Sequence, residues 1–379
     1  MEHSYYVGRS GSGKSSLMLH HAIEVIAAGR GLFFLDPHGA DITKLLDYIP
    51  PRRRPDVIYF DPTHAPIAFN PLDRVTNPDQ TAEALLYAFR DIWRFGQAST
   101  PVFDEYVLHG FLSLIEAPQS TVLHLRPLLT SEIYRAEVTA RLTDPYLRSF
   151  WGDFDALSTK ERRDQIRSTK NKINAIIADS RLRAILGQAK SAFTITDVLK
   201  GKIFLARLPQ GELGLQKTRL LGMLLLTQLH VGALSRTGTK PFHVFVDEMH
   251  HFQGTALTEM LSGIRKFGVT LHLSHQYIRQ LTPDMRDAVV ANAGAKHLFR
   301  TGKQDGEFFD ELVTSPKHSI TLLHEMPPFH YREGTEVCTV PPLPKPCCLG
   351  AKSITASDRQ YARPEAAIAR ELERFYGVL

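Results

Sequence analysis

Cysteine is scarce in this chain of 379 residues: there are three, Cys338, Cys347 and Cys348, all near the C-terminus and none in a CxxC pair. That spacing encodes neither a disulfide framework nor a zinc site, and a reducing compartment fits it best. Long apolar runs are missing too. The longest, LLGMLLL at 220–226, falls far short of the roughly 20 residues that cross a bilayer. No basic-then-apolar leader follows Met1. The expectation is therefore a soluble, cytoplasmic protein with no integral membrane segment, recruited at most to the inner face of a membrane. No internal repeat or low-complexity tract stands out, which excludes a repeat array. Neither sign of charge dominates: Lys and Arg number 45 against 40 Asp and Glu, for a net +5. This balance suits a nucleic-acid partner without requiring one.

What is present is a globular chain, 43% apolar and long enough for two or three domains or one large domain with an insertion. Short apolar runs bounded by turn residues recur at 4–8, 31–36, 56–61, 202–207, 243–248, 269–274 and 296–300, and they read as buried strands. They alternate with helical stretches at 15–28, 216–234 and 255–266, the pattern of a mostly parallel sheet flanked by helices. In the last helix Leu257, Met260, Leu261 and Ile264 share a face that should pack on the sheet. Between 76 and 190 the strand pattern stops and helical patterns take over, from DQTAEALLYAFRDIWRFG to KNKINAIIADSRLRAIL. The expected fold class is α/β, with 1–75 and 191–330 forming one domain around an all-α insertion at 76–190. A proline-rich extension follows at 331–379, with a last helix around 363–375.

Gly8, Gly11, Gly13, Lys14 and Ser15 complete the pattern GxxxxGK[ST], with a strand before it and an amphipathic helix after it. Glycines let backbone N–H groups curl around phosphates, and the start of the following helix adds a favourable dipole. The stretch Gly8, Ser10, Gly11, Ser12, Gly13, Lys14, Ser15 and Ser16 is thus the expected ATP cradle, with Lys14 on the β/γ-phosphates and the Ser15 hydroxyl on Mg²⁺. HVFVDEMHHF supplies the second half, a strand ending in two carboxylates at the edge where open α/β sheets bind ligands. Asp247 is expected in the Mg²⁺ shell. Glu248, one residue on, is placed to polarise water. Paired carboxylates favour hydrolysis over transfer to a small acceptor. Gln276, at the end of the next strand, would emerge beside them to orient water or sense the γ-phosphate.

In GRSGSGKSSL, LDPHGAD with VIYFDPTHAPIAFNPLD, KSAFTITDVLKGKIFLARLPQGELG, FVDEMHHF, LSGIRKFGVTLHLSHQYIRQL and ANAGAKHLFRTGKQDGEFF, the chain resembles the type IV secretion coupling-protein branch of the HerA/FtsK superfamily of DNA-pumping ATPases. The first and fourth stretches are generic to P-loop ATPases; the others, in this order, are specific. The resemblance implies a RecA-like fold carrying an inserted all-α domain, and a ring, usually a hexamer, with nucleotide sites between neighbouring subunits. It implies an arginine finger at Arg265, with Arg300 a weaker second candidate; such a guanidinium stabilises charge on the transferring phosphoryl group. Two departures matter. The family's DPHGD is one residue longer here, so Asp36, His38 and Asp41 receive no catalytic part. Family members also usually carry a segment before the P-loop, whereas here the first strand comes at once, so membrane attachment is not carried over.

Lys160, Arg163, Arg167 and Lys170 recur at helical spacing beside Ile166, Ile173 and Ile177, a basic ridge that suits DNA phosphates without reading sequence. The same run also reads as a solvated helix face. PPRRRP at 50–55 reads as a surface turn. His250–His251 and His272–His275 have no partner at metal-ligand spacing. The function expected is a ring-forming Mg-ATPase that translocates DNA with secretion or mobile-element machinery. A motor for protein secretion or viral genome packaging, or a nucleotide-dependent assembly switch, are the alternatives.

Overall fold

A computed structural model describes residues 2–93, 100–238, 240–311 and 322–377. Residues 94–96, the end of the first expected insertion helix, lie outside them. Two compact units divide the chain: Met1–Phe60 with Ile195–Ser357, and Asp61–Thr194 with Asp358–Leu379. The tract 331–379, read from sequence as one extension, is shared between the two.

The first unit holds a nine-stranded sheet. Its strands are β1 (Ser4–Val7), β2 (Gly31–Asp36), β3 (Val57–Phe60), β4 (Ile203–Arg207), β5 (Phe242–Val246), β6 (Val269–His275), β7 (Ala295–Leu298), β8 (His330–Glu333) and β9 (Glu336–Thr339). Their order is β3-β4-β2-β5-β6-β1-β7-β8-β9. The first seven in that order run parallel, and β8 and β9 close the edge as an antiparallel hairpin. The seven parallel strands are the seven runs read from sequence. They show as continuous apolar runs because helices cover both faces. Alternation along β2 sorts the two layers: Phe33 stacks with Phe204, while Phe34 stacks with Phe245 in a cluster with Ile23, Ile26 and Leu45. Each such fully buried ring contributes about 1.5–3 kcal/mol.

Helices Lys14–Ala27, Leu215–Leu234 and Thr255–Gly263 fall where the periodicity places them. Leu257, Met260, Leu261 and Ile264 are all buried. Helix Leu215–Leu234 holds the run LLGMLLL, every residue of it buried, so it is apolar all round because it is a core helix. No helix among the described residues is long and apolar enough to cross a membrane.

One part of this interior is polar. His243 Nδ1 lies 3.0 Å from His272 Nε2, His272 Nδ1 3.1 Å from the Tyr6 hydroxyl, and that hydroxyl 2.6 Å from His21 Nδ1. His297 stacks on Tyr6 at 4.6 Å between ring centroids. The chain of rings crosses β5, β6 and β1 to the helix that follows the P-loop. Burial holds these imidazoles neutral: it lowers His243 to about 4 and His297 to about 3, and takes His272 well below its usual range.

The second unit is helical from Pro78 to Leu186 among its described residues, with helix Glu365–Tyr376 added from the C-terminus. Its core is aromatic: Phe89, Phe111, Tyr106, Trp151 and Phe154 pack edge to face. The Trp151 indole donates to Ser113 Oγ at 2.8 Å, so the buried ring loses no hydrogen bond. Helix Thr159–Ile177 starts from a capping box in which Ser158 and Glu161 satisfy each other's backbone N–H groups.

Arg53, read as part of a surface turn, is buried. Its guanidinium donates to Asp56 and to the carbonyls of Arg30 and Gly201, tying the start of β3 to the starts of β2 and β4. Five donors in one planar group let it satisfy several carbonyls that a lysine would leave bare.

Candidate nucleotide site

Strand register decides which loops meet. Val7 pairs with His275 on one side and Leu298 on the other, while Val246 pairs with Leu273 and Leu35. The carboxyl ends of β1, β2, β5 and β6 therefore finish within about two residues of one another. The P-loop, Asp36, the pair Asp247–Glu248 and Gln276 leave the sheet at a single edge.

Between β1 and helix Lys14–Ala27 the chain turns through Gly11 (φ 76°) and Gly13 (φ 109°), left-handed conformations that glycine adopts without strain. Gly13 precedes the helix with no side-chain cap, and no acidic residue lies in the first turn. The first helical N–H groups and the positive end of the dipole are thus left for an anion. Lys14 and Ser12 are buried, and Ser12 Oγ has no hydrogen-bond partner among the described residues.

Asp247 follows β5 directly, its N–H donating to the Leu35 carbonyl at 3.0 Å. Ser274 Oγ, at the end of β6, donates to Asp247 Oδ1. Burial, and then the nearby carboxylates of Asp36 and Asp41, push Asp247 up to about 8, against the Ser274 hydrogen bond. A positive charge among these carboxyls would favour their ionised forms.

Glu248 behaves in the opposite way. Burial pushes its carboxyl up, but His250, Gln276 and the charge of Lys14 together outweigh this and hold it at about 2. Gln276 Nε2 donates to Oε1 at 3.0 Å, and His250 Nδ1 lies 3.2 Å from Oε2. Its backbone is left-handed (φ 44°, ψ 50°), a conformation that costs a non-glycine residue about 1–3 kcal/mol and marks sites where a side chain is aimed at something. Two adjacent carboxyls are thus set apart: Glu248 is ionised, as a base requires, whereas Asp247, pushed up by burial, must give up its proton to act as a metal ligand.

The structure brings Lys14, Ser15, Asp247, Glu248 and Gln276 together. Asp41, set aside because of the extra residue in DPHGAD, joins them. Asp36 spends both oxygens capping helix Ala40–Leu46, accepting from the N–H groups of His38, Gly39, Asp41 and Ile42 at 2.7–3.2 Å. This cap presents Asp41 to the P-loop, where burial and then the Asp36 charge push its carboxyl up, against Lys44, the Ser15 hydroxyl and the Lys14 charge. Ser274 and His250 carried no sequence signal of their own, and Asp41 only its position two residues after PHG.

Arg265 is elsewhere. It is exposed in the turn Ile264–Phe267 that precedes β6, and its charge acts on His3, which precedes β1, so it sits at the amino edge of the sheet. Arg300 is exposed next to the P-loop, its carbonyl accepting from the Arg9 N–H at 2.8 Å. Lys160, Arg163 and Arg167 are exposed and Lys170 half-buried on helix Thr159–Ile177 of the second unit.

No protein-family model matches the sequence, and no curated protein matches it. Solved structures do. The bacterial conjugative coupling protein TrwB superposes with a TM-score of 0.61 at 15% identity, over 91% of this chain and 86% of that one. A TrwB structure holding ADP and Mg²⁺ gives 0.59 at 15% identity, over 91% of this chain and 86% of that one. VirB4 of Thermoanaerobacter pseudethanolicus gives 0.63 at 15% identity, over 92% of this chain and 91% of that one. The motif resemblance and the fold therefore agree: this chain has the P-loop fold of TrwB and VirB4, a mostly parallel sheet with many helices.

Proposed function

We propose that the chain is an Mg²⁺-dependent ATPase that assembles as a hexameric ring and couples hydrolysis to the movement of DNA, in conjugative transfer or a related secretion or mobile-element step. The observation that carries this reading is the pairing of a P-loop with an ionised Glu248, held by Gln276, at one sheet edge.

The donor set fits Mg²⁺. Ser15, Asp247 and Asp41 offer oxygen ligands suited to a hard cation. Bound there, the ion would neutralise charge on the phosphates. Lys14 pairs with the β/γ-phosphates. Glu248, kept ionised, accepts the proton of an attacking water, and Gln276 orients that water through its contact with Glu248. TrwB has been seen with ADP and Mg²⁺ and with a non-hydrolysable ATP analogue, which supports the same pair of ligands here.

The ring is supported by Arg265. It lies at the sheet edge opposite its own P-loop, so a catalytic part for it needs the P-loop of a neighbouring copy. DNA is supported by the basic ridge on helix Thr159–Ile177 and by the conjugative role printed for TrwB. The deciding experiment measures ATP turnover with and without DNA while the mass of the assembly is recorded. Turnover raised by DNA in a multi-subunit species is the expected result. Turnover indifferent to DNA favours a motor for another polymer, and binding without turnover favours an assembly switch.

A further inference from the structure

We propose that Phe329 is the platform on which the base of the nucleotide stacks. The proposal rests on the nucleotide reading above and adds to it a part of the ligand that no motif in the sequence addresses.

The direction of the ligand follows from strand order. Glu248 and Gln276, which mark the terminal phosphate, stand on the β5 and β6 side of β1; β7 and β8 lie on its other side. A nucleoside triphosphate with its last phosphate beside Glu248 therefore runs across the P-loop toward β7 and β8, and its base leaves on that side. Phe329 waits there, one residue before β8.

Its attachment to the P-loop is direct. The Phe329 N–H donates to the Ser12 carbonyl at 2.8 Å, and its own carbonyl accepts from Val340 N–H at 2.8 Å. A Cβ added to Gly13 would lie 3.1 Å from both Cα and Cδ1 of Phe329, so the ring and the glycine immediately before Lys14 are in contact. Both backbone groups are fixed, and the residue is held at φ 60°, a left-handed conformation unfavourable for a side chain of this size.

The residue is only half-buried in return. Phe329 is 51% exposed, although an apolar cluster of Tyr6, Leu17, Phe299 and Tyr331 lies beside it and takes in the other aromatics of the same corner. A strained backbone, pinned to the phosphate cradle and presenting a bare aromatic face to solvent, is the arrangement a planar ligand would complete. The ring has no hydrogen-bonding group, so it stacks on any base and the platform accepts adenine and guanine alike.

The test separates base from phosphates. The wild-type chain, Phe329→Ala and Phe329→Trp are titrated, with Mg²⁺, against ATP and against inorganic tripolyphosphate, which has the phosphates and no base. Phe329→Ala is expected to weaken ATP binding by about 5- to 150-fold, the range of one base–aromatic stack, and to leave tripolyphosphate binding unchanged. Phe329→Trp should retain ATP affinity, with indole emission that responds to ATP and not to tripolyphosphate. If Phe329→Ala binds both ligands as the wild type does, the platform is wrong. If it loses both equally, Phe329 only shapes the P-loop, and the platform is again wrong. A wild-type chain that binds neither ligand overturns the nucleotide reading itself, and the platform with it.

Discussion

The carboxyl and amino edges of the sheet are made of different material. At the carboxyl edge, charged side chains are buried: Lys14, Asp41, Asp247 and Glu248 are each at least nine-tenths covered, and the three carboxyls feel the charge or hydrogen bonds of their neighbours. At the amino edge, Arg265 and Lys266 are exposed beside an open cleft of about 640 Å³, lined also by Ser262 and Asn292. Burying a charge is costly unless it is paired, so the carboxyl edge must be finished within one chain. A guanidinium left in water costs nothing to keep waiting. The asymmetry teaches that the two edges are not rival sites. One gathers a buried lysine and buried carboxyls around the P-loop, and the other holds an exposed arginine at the opposite edge.

The sharpest way to break this comparison is to damage each edge separately and then mix the products. Arg265→Ala is expected to lower turnover in the assembled protein by about 10³-fold or more, the scale of an arginine finger. Glu248→Gln should lower it by about 10²–10⁴-fold, the scale of a lost general base, with ATP binding retained. Each variant alone should therefore be slow. Mixed, they should regain part of the wild-type rate, because the intact Glu248 of one copy then faces the intact Arg265 of another. No rescue on mixing, in a species shown by mass to contain both variants, would place Arg265 outside the reaction.

Sequence alone went a long way at the carboxyl edge and less far beyond it. The parallel strands were legible because burial on both faces demands uninterrupted apolar runs, and the P-loop and Asp247–Glu248 were legible because they are contiguous in the chain. The hairpin β8–β9 was not. HYRE and EVCT are mostly polar, and β9 is largely exposed, so nothing in their composition separates them from a loop. Helix Gly350–Tyr361 escaped for a related reason: its buried positions include Ser353 and Ser357 in place of aliphatic residues, and the Ser357 hydroxyl accepts from the Tyr59 N–H of β3 at 2.8 Å. Asp41, Ser274 and Phe329 reach the site through space from separate elements, which no spacing rule records, whereas His250 follows Glu248 by two residues.

The next effect is smaller and concerns the interior shared by both edges. His3, His243, His272 and His297 are neutral in the fold because burial lowers them, to about 4 for His3 and His243 and about 3 for His297. In the unfolded chain each titrates near 6.5. Above pH 6.5 both states are neutral and the stability is fully present. As pH falls from 6.5 toward 4, the unfolded chain takes up protons that the fold refuses, and stability is lost by up to about 1.4 kcal/mol per pH unit for each imidazole. Asp247, raised to about 8, works in the other direction, as do Asp41, Asp305 and Glu333, which burial also raises, but the lowered imidazoles outnumber these carboxyls. The urea midpoint should therefore drop between pH 7.5 and 5.5, and His297→Phe, which keeps a ring stacked on Tyr6, should drop less.

The smallest effect tests whether the helical unit belongs to the comparison at all. Lys160, Arg163, Arg167 and Lys170 lie along one face of helix Thr159–Ile177, whose other face buries Ile166 and Ile173. A face of this kind is either a track for phosphates or a solvated surface, and affinity at one salt concentration does not tell them apart, because any cation raises it a little. The slope of affinity against salt does, since it counts the counterions released. Replacing Arg163 and Arg167 by alanine leaves the apolar face untouched and should flatten the logarithmic slope for DNA by about 0.7–0.9 for each phosphate that is no longer neutralised. ATP turnover without DNA should stay at the wild-type rate. An unchanged slope would return the ridge to ordinary surface and leave the DNA track to be sought on the unit that carries the nucleotide.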